Sequence, residues 1–380
     1  MSLPSRLPDV GTTIFTVMSK LAADLGAINL SQGFPDFDCD PALVDAVTRH
    51  MREGRNQYAP MQGVLPLRQA IAGKYEALYG RRYDPETEIT VTSGGTEAIF
   101  CAVAAVVHPG DEVIVLEPCY DSYVPATVLN GGVAKFVPLM PGSYAIDWDA
   151  IRRVVTSRTR LLMINSPHNP AGSVITPADI QSLQSLVHDT GIYVVSDEVY
   201  EHIIFDGIAH QSLSRYEDLA ARSFVIGSFG KTFHTTGWKV GYAVAPAALT
   251  TEFRKVHQFV TFSTNPPTQY AIADFLADKS RLAELSPFYQ RKRDLFLELM
   301  KESRFVPLAC RGSYFQLMDY SAITSEPDAE LAIRLTKEYG VASIPTSPFL
   351  YHQPAPRVLR FCFAKKDETL ERAAERLRTV

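Results

Sequence analysis

The sequence predicts an α/β protein with a large domain built on a mostly parallel central sheet flanked by helices, plus a smaller α+β domain. Three features predict it. Between Glu88 and Val244, short β-branched runs alternate with helical segments, the pattern of strands joined by crossover helices. Most of those runs are apolar without alternation, as strands are when helices cover both faces of a sheet. Past Ala245 the pattern changes to long helical stretches with a few short, late strands.

Along the chain, Pro4, Pro8, Gly33, Pro35 and Pro41 interrupt regular periodicity, so residues 1–43 read as an N-terminal arm and part of the smaller domain. Residues 42–51 and 67–78 have helical spacing and flank a loop rich in Gly, Pro and Asn that carries Tyr58. Strands are expected over residues 89–92, 112–116, 161–165, 193–196, 224–227 and 240–244, with crossover helices over 97–108 and 178–188. Helical stretches follow over 249–259 and 288–302, then strands around 313–318 and 358–363. The large domain is therefore assigned to residues 44–276 and the small one to residues 277–380.

A chain of 380 residues, 46% hydrophobic, is long enough for two cores. Lys and Arg number 37 against 42 Asp and Glu, with no basic block, so nucleic acid is not an expected partner. The cysteines (Cys39, Cys101, Cys119, Cys310, Cys362) are far apart and form no CxxC pair, which points to reduced core thiols in a cytoplasmic protein and to no metal centre. Residues 1–9 lack the apolar core of a secretory signal, and no run of 18 apolar residues exists, so a membrane is not expected either. Without internal repeats or heptads, a scaffold reading has no support.

Ligands of α/β sheets bind past the carboxyl ends of the strands, so the residues delivered there matter most. The first strand runs into Ser93-Gly94-Gly95-Thr96 and a helix, a turn whose amides suit a phosphate, although a tight turn with a helix cap reads the same way. The second delivers Tyr120 and Tyr123, either a surface for a flat ring or core aromatics. The third leads to Asn165 and then Ser166-Pro167-His168-Asn169-Pro170, a rigid turn holding an amide side chain. The fourth ends at Asp197 and Tyr200, placing a carboxylate after a buried run, where it needs a cationic partner. The fifth gives Ser228 and Lys231, with Lys239 beyond. A lysine among small residues just after a buried strand can be desolvated enough to act as a nucleophile or base. Gly230-Lys231-Thr232 is no P-loop, because Val225 stands where GxxxxGK[ST] requires glycine, and GxGxxG is absent from the chain.

With these residues the chain resembles the class I aminotransferases, pyridoxal-phosphate enzymes of fold type I, over almost its whole length. The resemblance rests on Ser228-Phe229-Gly230-Lys231-Thr232 with Gly237-Trp238-Lys239-Val240-Gly241-Tyr242, Asn165-Ser166-Pro167-His168-Asn169-Pro170, Ser196-Asp197-Glu198-Val199-Tyr200 and Arg360-Phe361-Cys362-Phe363-Ala364-Lys365, in family order. Leu7 to Phe15, Leu30 to Phe37 and Asn56 to Met61 are similar to the methionine aminotransferase branch and its kynurenine and glutamine aminotransferase relatives.

The resemblance implies pyridoxal 5'-phosphate held covalently by Lys231, which also moves the substrate Cα proton, and paired through its ring nitrogen with Asp197. It implies Asn169 and Tyr200 at the ring oxygen, Tyr120 stacked on the ring, and Gly95, Thr96, Ser228 and Lys239 around the phosphate. Tyr58 matches a residue that reaches the phosphate of a neighbouring subunit, implying a homodimer with shared sites. Arg360 matches the clamp on the substrate carboxylate, with Gly33 and Asn165 near it. Lysine at position 239, where the aspartate aminotransferase branch has arginine, favours the kynurenine and methionine branch.

Phe15, Phe34, Tyr123, Phe262 and Phe349 are candidates for the side-chain pocket, with core packing as the alternative for each. An apolar, aromatic pocket suits methionine, phenylalanine or kynurenine and leaves a second carboxylate unpaired. The implied activity is ping-pong transfer of an amino group from methionine, or a similar large neutral or aromatic amino acid, to a 2-oxo acid. The alternatives are a kynurenine or glutamine aminotransferase with cysteine-S-conjugate β-lyase activity, and a non-catalytic effector domain of a regulator. The segment before the enzyme-like region is too short and not basic enough for the DNA-binding domain which that last reading needs.

Overall fold

The computed structural model describes residues 4–278, 280–352 and 354–380, and it corrects the reading of the first forty residues as an arm without regular structure. A helix runs over Ile14–Leu25, opened by Thr13, whose hydroxyl accepts from the Thr16 amide, and closed by Gly26 at φ 62°. The prolines and Gly33 lie outside this span on either side, so they bound the helix rather than break it. Met18 and Ala22 are buried, and strand β1 (Ile28–Asn29) then pairs in parallel with Val341–Ala342, far along the chain.

The larger sheet contains β2 (Ile89–Thr92), β3 (Glu112–Glu117), β4 (Val133–Pro138), β5 (Thr159–Asn165), β6 (Tyr193–Asp197), β7 (Ser223–Ser228) and β8 (Gly241–Val244), ordered β2-β8-β7-β6-β5-β3-β4. Strand β8 is antiparallel to both neighbours, and the other pairings are parallel. Strand β4 was absent from the sequence expectation for a physical reason: at the sheet edge only Val137 is buried, so it shows no apolar run. Alternate residues of β5 feed two cores, Leu162 and Ile164 on one face, Leu161 and Met163 on the other. The second core includes Ala98 and Ile99 from the helix Gly94–Val106 and Leu249 and Phe253 from the helix Ala247–Val260. The change of pattern past Ala245 therefore lies inside the larger sheet's own packing.

Strands β9 (Val306–Pro307), β10 (Phe315–Asp319), β12 (Ile344–Pro345) and β13 (Val358–Cys362) form an antiparallel sheet in the order β12-β13-β10-β9, while β11 (Val341–Ala342) is the partner of β1. Strand β10 starts later than the expected residue 313 because Ser313 has φ 63°, outside the strand region. One buried cluster runs from Ile164 of β5 to Phe315 and Phe361 of this smaller sheet, so β10 and β13 are packed toward the strand ends of the larger one.

Glu201, one residue past Tyr200, anchors that turn from beneath. Its carboxylate accepts from Lys74 Nζ and from the hydroxyls of Tyr79 and Tyr242, the last at 2.9 Å. Burial alone would raise this carboxyl, but Lys74 beside it holds it well below the usual range. The Lys74→Ala change leaves the carboxylate buried without its counter-ion and should destabilise the protein by about 3–5 kcal/mol in denaturant unfolding. An unchanged midpoint would mean that the pair contributes nothing to stability.

Candidate active site

The strand ends converge as the register requires. Asn165, the last residue of β5, is paired with Asp197, the last residue of β6, and Asn165 Nδ2 donates to the Asp197 carbonyl at 2.9 Å. Gly241 opens β8 between Thr92 and Ser228. A Cβ there would stand 2.7 Å from the Gly94 carbonyl carbon and 2.9 Å from the Gly95 nitrogen, so glycine is what lets the Gly94-Gly95 turn close against the sheet. These ends surround a cavity of about 260 Å3.

Lys231 rises from the short helix Phe229–Thr232 into that cavity. Its Nζ donates to the Tyr314 hydroxyl at 2.9 Å and to the Gly33 carbonyl at 3.3 Å. Burial lowers its amine to about 8; the nearby Cys362 and Asp197 oppose the drop and the cations Lys239 and Arg360 add to it. Asp197 is buried too, and desolvation raises its carboxyl to about 6 although Tyr123 Oη donates to Oδ2 at 2.7 Å and the Val199 amide to Oδ1 at 3.3 Å. Such a carboxyl gains most from a protonated partner facing it.

At another end of the cavity, the helix Gly94–Val106 begins with no side chain capping it, and Gly94, Gly95, Thr96, Ser228 and Lys239 are all in the lining. Lys239 is left-handed at φ 55°, and its Nζ lies 3.2 Å from where a Cβ on Gly94 would stand. Tyr120 Oη is 3.4 Å from Thr96 Oγ1. An uncapped helix terminus with glycines and a cation suits a phosphate. Together with an aromatic face, a buried carboxylate and a desolvated amine, these residues fit pyridoxal 5'-phosphate.

Arg360, on β13, is only 1% exposed. Its Nη1 donates to Asn169 Oδ1 at 2.8 Å and its Nη2 to the Ser31 carbonyl at 3.0 Å, while Nε has no partner. The guanidinium sits 3.9 Å from the Phe315 ring centroid and within 5.5 Å of those of Phe15 and Phe349. Burial lowers this group to about 10, and an under-satisfied buried guanidinium is a receptor for a carboxylate. Asn169 is held by its amide, which donates to Asn165 Oδ1 at 2.7 Å, and Tyr200 packs edge-on against Tyr314 with ring centroids 5.1 Å apart.

The cavity thus brings together Lys231, Asp197, Tyr200, Tyr120, Asn165, Asn169, Arg360, Gly33 and Phe15 with the glycine turn, Ser228 and Lys239. Phe349 stays outside the lining, packed behind Phe15 with ring centroids 5.8 Å apart, and Tyr123 sits beneath Asp197. Phe34, Phe262 and Tyr58 are outside it as well; Tyr58 is 85% exposed and meets only the edge of Phe262 among aromatic rings of this chain. Sequence reasoning missed Tyr314, Phe315, Gln32 and Thr236. Tyr314 and Phe315 carried a usable signal, an aromatic pair just after Gly312-Ser313, whereas Gln32 and Thr236 carry none.

A family model described as aminotransferase class I and II matches residues 26–377. Methionine aminotransferase of Escherichia coli (strain K12) is 49% identical over 377 residues, 99% of this chain and 98% of its own length. A probable N-succinyldiaminopimelate aminotransferase of Mycobacterium tuberculosis is 39% identical, covering 98% of this chain and 97% of that protein. A solved Escherichia coli structure with a methionine aminotransferase function superimposes with a TM-score of 0.97 at 48% identity, covering 100% of both chains.

Asp197 makes a sign-specific prediction for the cofactor-free protein. Its folded carboxyl titrates near 6 against an ordinary 3.8, so the native state keeps a proton which the unfolded state has lost between those values. The Asp197 contribution to stability is therefore full below about 4 and is lost as pH rises to about 6. Denaturation of wild type and Asp197→Asn across pH 3.5–7 should show this downward component only in wild type; an upward component lost in the variant would contradict it.

Proposed function

Because the chain belongs to the class I and II aminotransferases, pyridoxal-phosphate-dependent transaminases of amino acids and 2-oxo acids, we propose that its donor is methionine or another large neutral or aromatic amino acid. The observation that carries this is the charge inventory of the cavity. Among the described residues lining it, the cations are Lys231, Lys239 and Arg360, and the proposal gives each a task at the cofactor or the α-carboxylate. A second substrate carboxylate finds no further cation among the described lining residues, while Phe15, Phe315 and Ile99 offer apolar surface. The likeness to a methionine aminotransferase at 49% identity supports the same donor.

In this reading the bound cofactor supplies a ring that accepts electrons from the substrate Cα. Arg360 grips the α-carboxylate and orients the Cα–H bond toward Lys231. Lys231, whose amine burial lowers to about 8, would serve as the base that moves the Cα proton in each half-reaction of a ping-pong cycle. Asp197 would keep the ring nitrogen protonated, Asn169 and Tyr200 would hydrogen-bond the ring oxygen, and Tyr120 would cover the ring face. Gly95, Thr96, Ser228 and Lys239 hold the phosphate. The high exposure of Tyr58 in a single chain supports its reaching a second subunit, hence a homodimer with shared sites; a cytoplasmic location belongs to the same proposal. The division into residues 44–276 and 277–380, with 1–43 contributing to the smaller part, belongs to the same proposal.

Two experiments test it. Lys231→Ala should abolish the visible absorbance of lysine-bound cofactor and lower transamination by about 10²–10⁴-fold. Methionine, phenylalanine and kynurenine should exceed aspartate and glutamate in kcat/KM by at least about tenfold across a panel of 2-oxo acids. Preference for a dicarboxylic donor would overturn the substrate assignment. The second reading, a kynurenine or glutamine aminotransferase with β-lyase activity, is favoured by the same apolar pocket and predicts pyruvate and ammonia from cysteine S-conjugates without added oxo acid.

A further inference from the structure

The phosphate cradle rests on a buried group to which the transaminase reading gives no role. His257, on the helix Ala247–Val260, is fully buried. Its Nδ1 lies 2.7 Å from Glu97 Oε1, and its Nε2 lies 3.0 Å from the Met61 carbonyl oxygen. A neutral imidazole has one N–H, whereas two acceptors face the two nitrogens here. Glu97 is placed as an acceptor throughout: Oε1 also receives the Cys101 thiol at 3.0 Å, and Oε2 receives the Ser93 amide at 2.8 Å. Both histidine contacts are donations only if the ring carries a proton on each nitrogen.

The placement gives that charge a consequence. Glu97 directly follows the Ser93-Gly94-Gly95-Thr96 turn, and its bond to the Ser93 amide holds the carboxylate at the helix terminus that faces the cavity. Left alone there, it would repel a phosphate dianion. Met61, on the other side of the ring, lies three residues past Tyr58, in the loop before the helix Leu65–Tyr79. One imidazole therefore links, through Glu97, the turn that lines the cavity to the loop that presents Tyr58.

We propose that His257 is a positioning residue, held as the imidazolium, which neutralises Glu97 beside the phosphate cradle and ties that cradle to the Tyr58 loop. It rests on the pyridoxal-phosphate reading of the site. Glu97, Cys101 and His257 are close enough to share a metal ion, with ligand atoms within 4.8 Å of one another. The Cys101 proton, however, is committed to Glu97, and burial pushes that thiol far above its ordinary value, so the group works as a hydrogen-bonded ion pair. Among the described residues, the other titratable side chain bonded to this pair is Cys101; Arg254, on the same helix, is turned to Thr90 and to the carbonyls of Glu86 and Ile89.

The test uses charge rescue. His257→Asn should weaken binding of pyridoxal phosphate, and of inorganic phosphate to the cofactor-free protein, by at least about tenfold, since one unbalanced charge within about 12 Å costs that much at an effective dielectric of about 20. The double variant Glu97→Gln with His257→Asn, which removes both charges, should recover most of that loss. A double variant as weak as the single one overturns the proposal, because a packing role predicts no rescue. Nitrogen-15 spectra of the wild-type protein give a readout that needs no variant to fold: both ring nitrogens of His257 should carry protons. A neutral ring, or zinc purified stoichiometrically with the protein, overturns it. The phosphate arm does not involve Lys231, so retention of the visible band in Lys231→Ala would sink the transaminase assignment separately.

Discussion

Removal of the Lys231 amine from water is the constraint on which the rest of the site depends. An ammonium withdrawn from much of its hydration is costly, and two neighbouring cations, Lys239 and Arg360, add to the cost. The result is an amine with an acidity near 8, held by a tyrosine hydroxyl and a backbone carbonyl instead of a carboxylate. Had Asp197 made a direct salt bridge to it, the lysine would stay charged and be useless as a base. Asp197 is instead occupied by Tyr123 and by the backbone of its own turn.

That partial burial requires a wall which the larger sheet does not have. The smaller sheet provides it: β10 brings Phe315, with Tyr314 just before it, and β13 brings Arg360 opposite Leu317 of β10. The segment around Ser31 and Gly33 closes the remaining side through its carbonyls, one on Arg360 and one on Lys231 and Tyr314. Gly33 must lack a side chain, because a Cβ would stand 2.7 Å from Phe315 Cζ. The N-terminal residues are thus structural parts of the site; β1 pairs with β11, and the Cys362 amide of β13 donates to the Leu30 carbonyl at 2.8 Å, which fixes them beside the smaller sheet.

Much of this was legible in the sequence, and what escaped did so for definable reasons. Strands buried on both faces announce themselves as apolar runs, so β2, β3, β5, β6, β7 and β8 fall close to their expected spans, with the chemistry at their ends. Edge strand β4 lacks that signature, and the helix Ile14–Leu25 was hidden by breakers that turn out to flank it. Asp197, Asn169 and Lys231 could be found because a polar group after a buried run is chemically conspicuous. The His257–Glu97 pair could not, since its meaning lies in a partner 160 residues away.

The sequence by itself determined which functional groups arrive at the strand ends and in what order, because strand periodicity and turn chemistry are local properties of the chain. Only the tertiary structure decided their charge states and partners. Burial sets the acidity of Lys231, Asp197 and Arg360, and burial is a property of the packing between two sheets and an N-terminal segment that are far apart in the chain. The same holds for the partners of His257: a histidine in a helix says nothing of them until the fold brings the Glu97 carboxylate to one nitrogen and the Met61 carbonyl to the other.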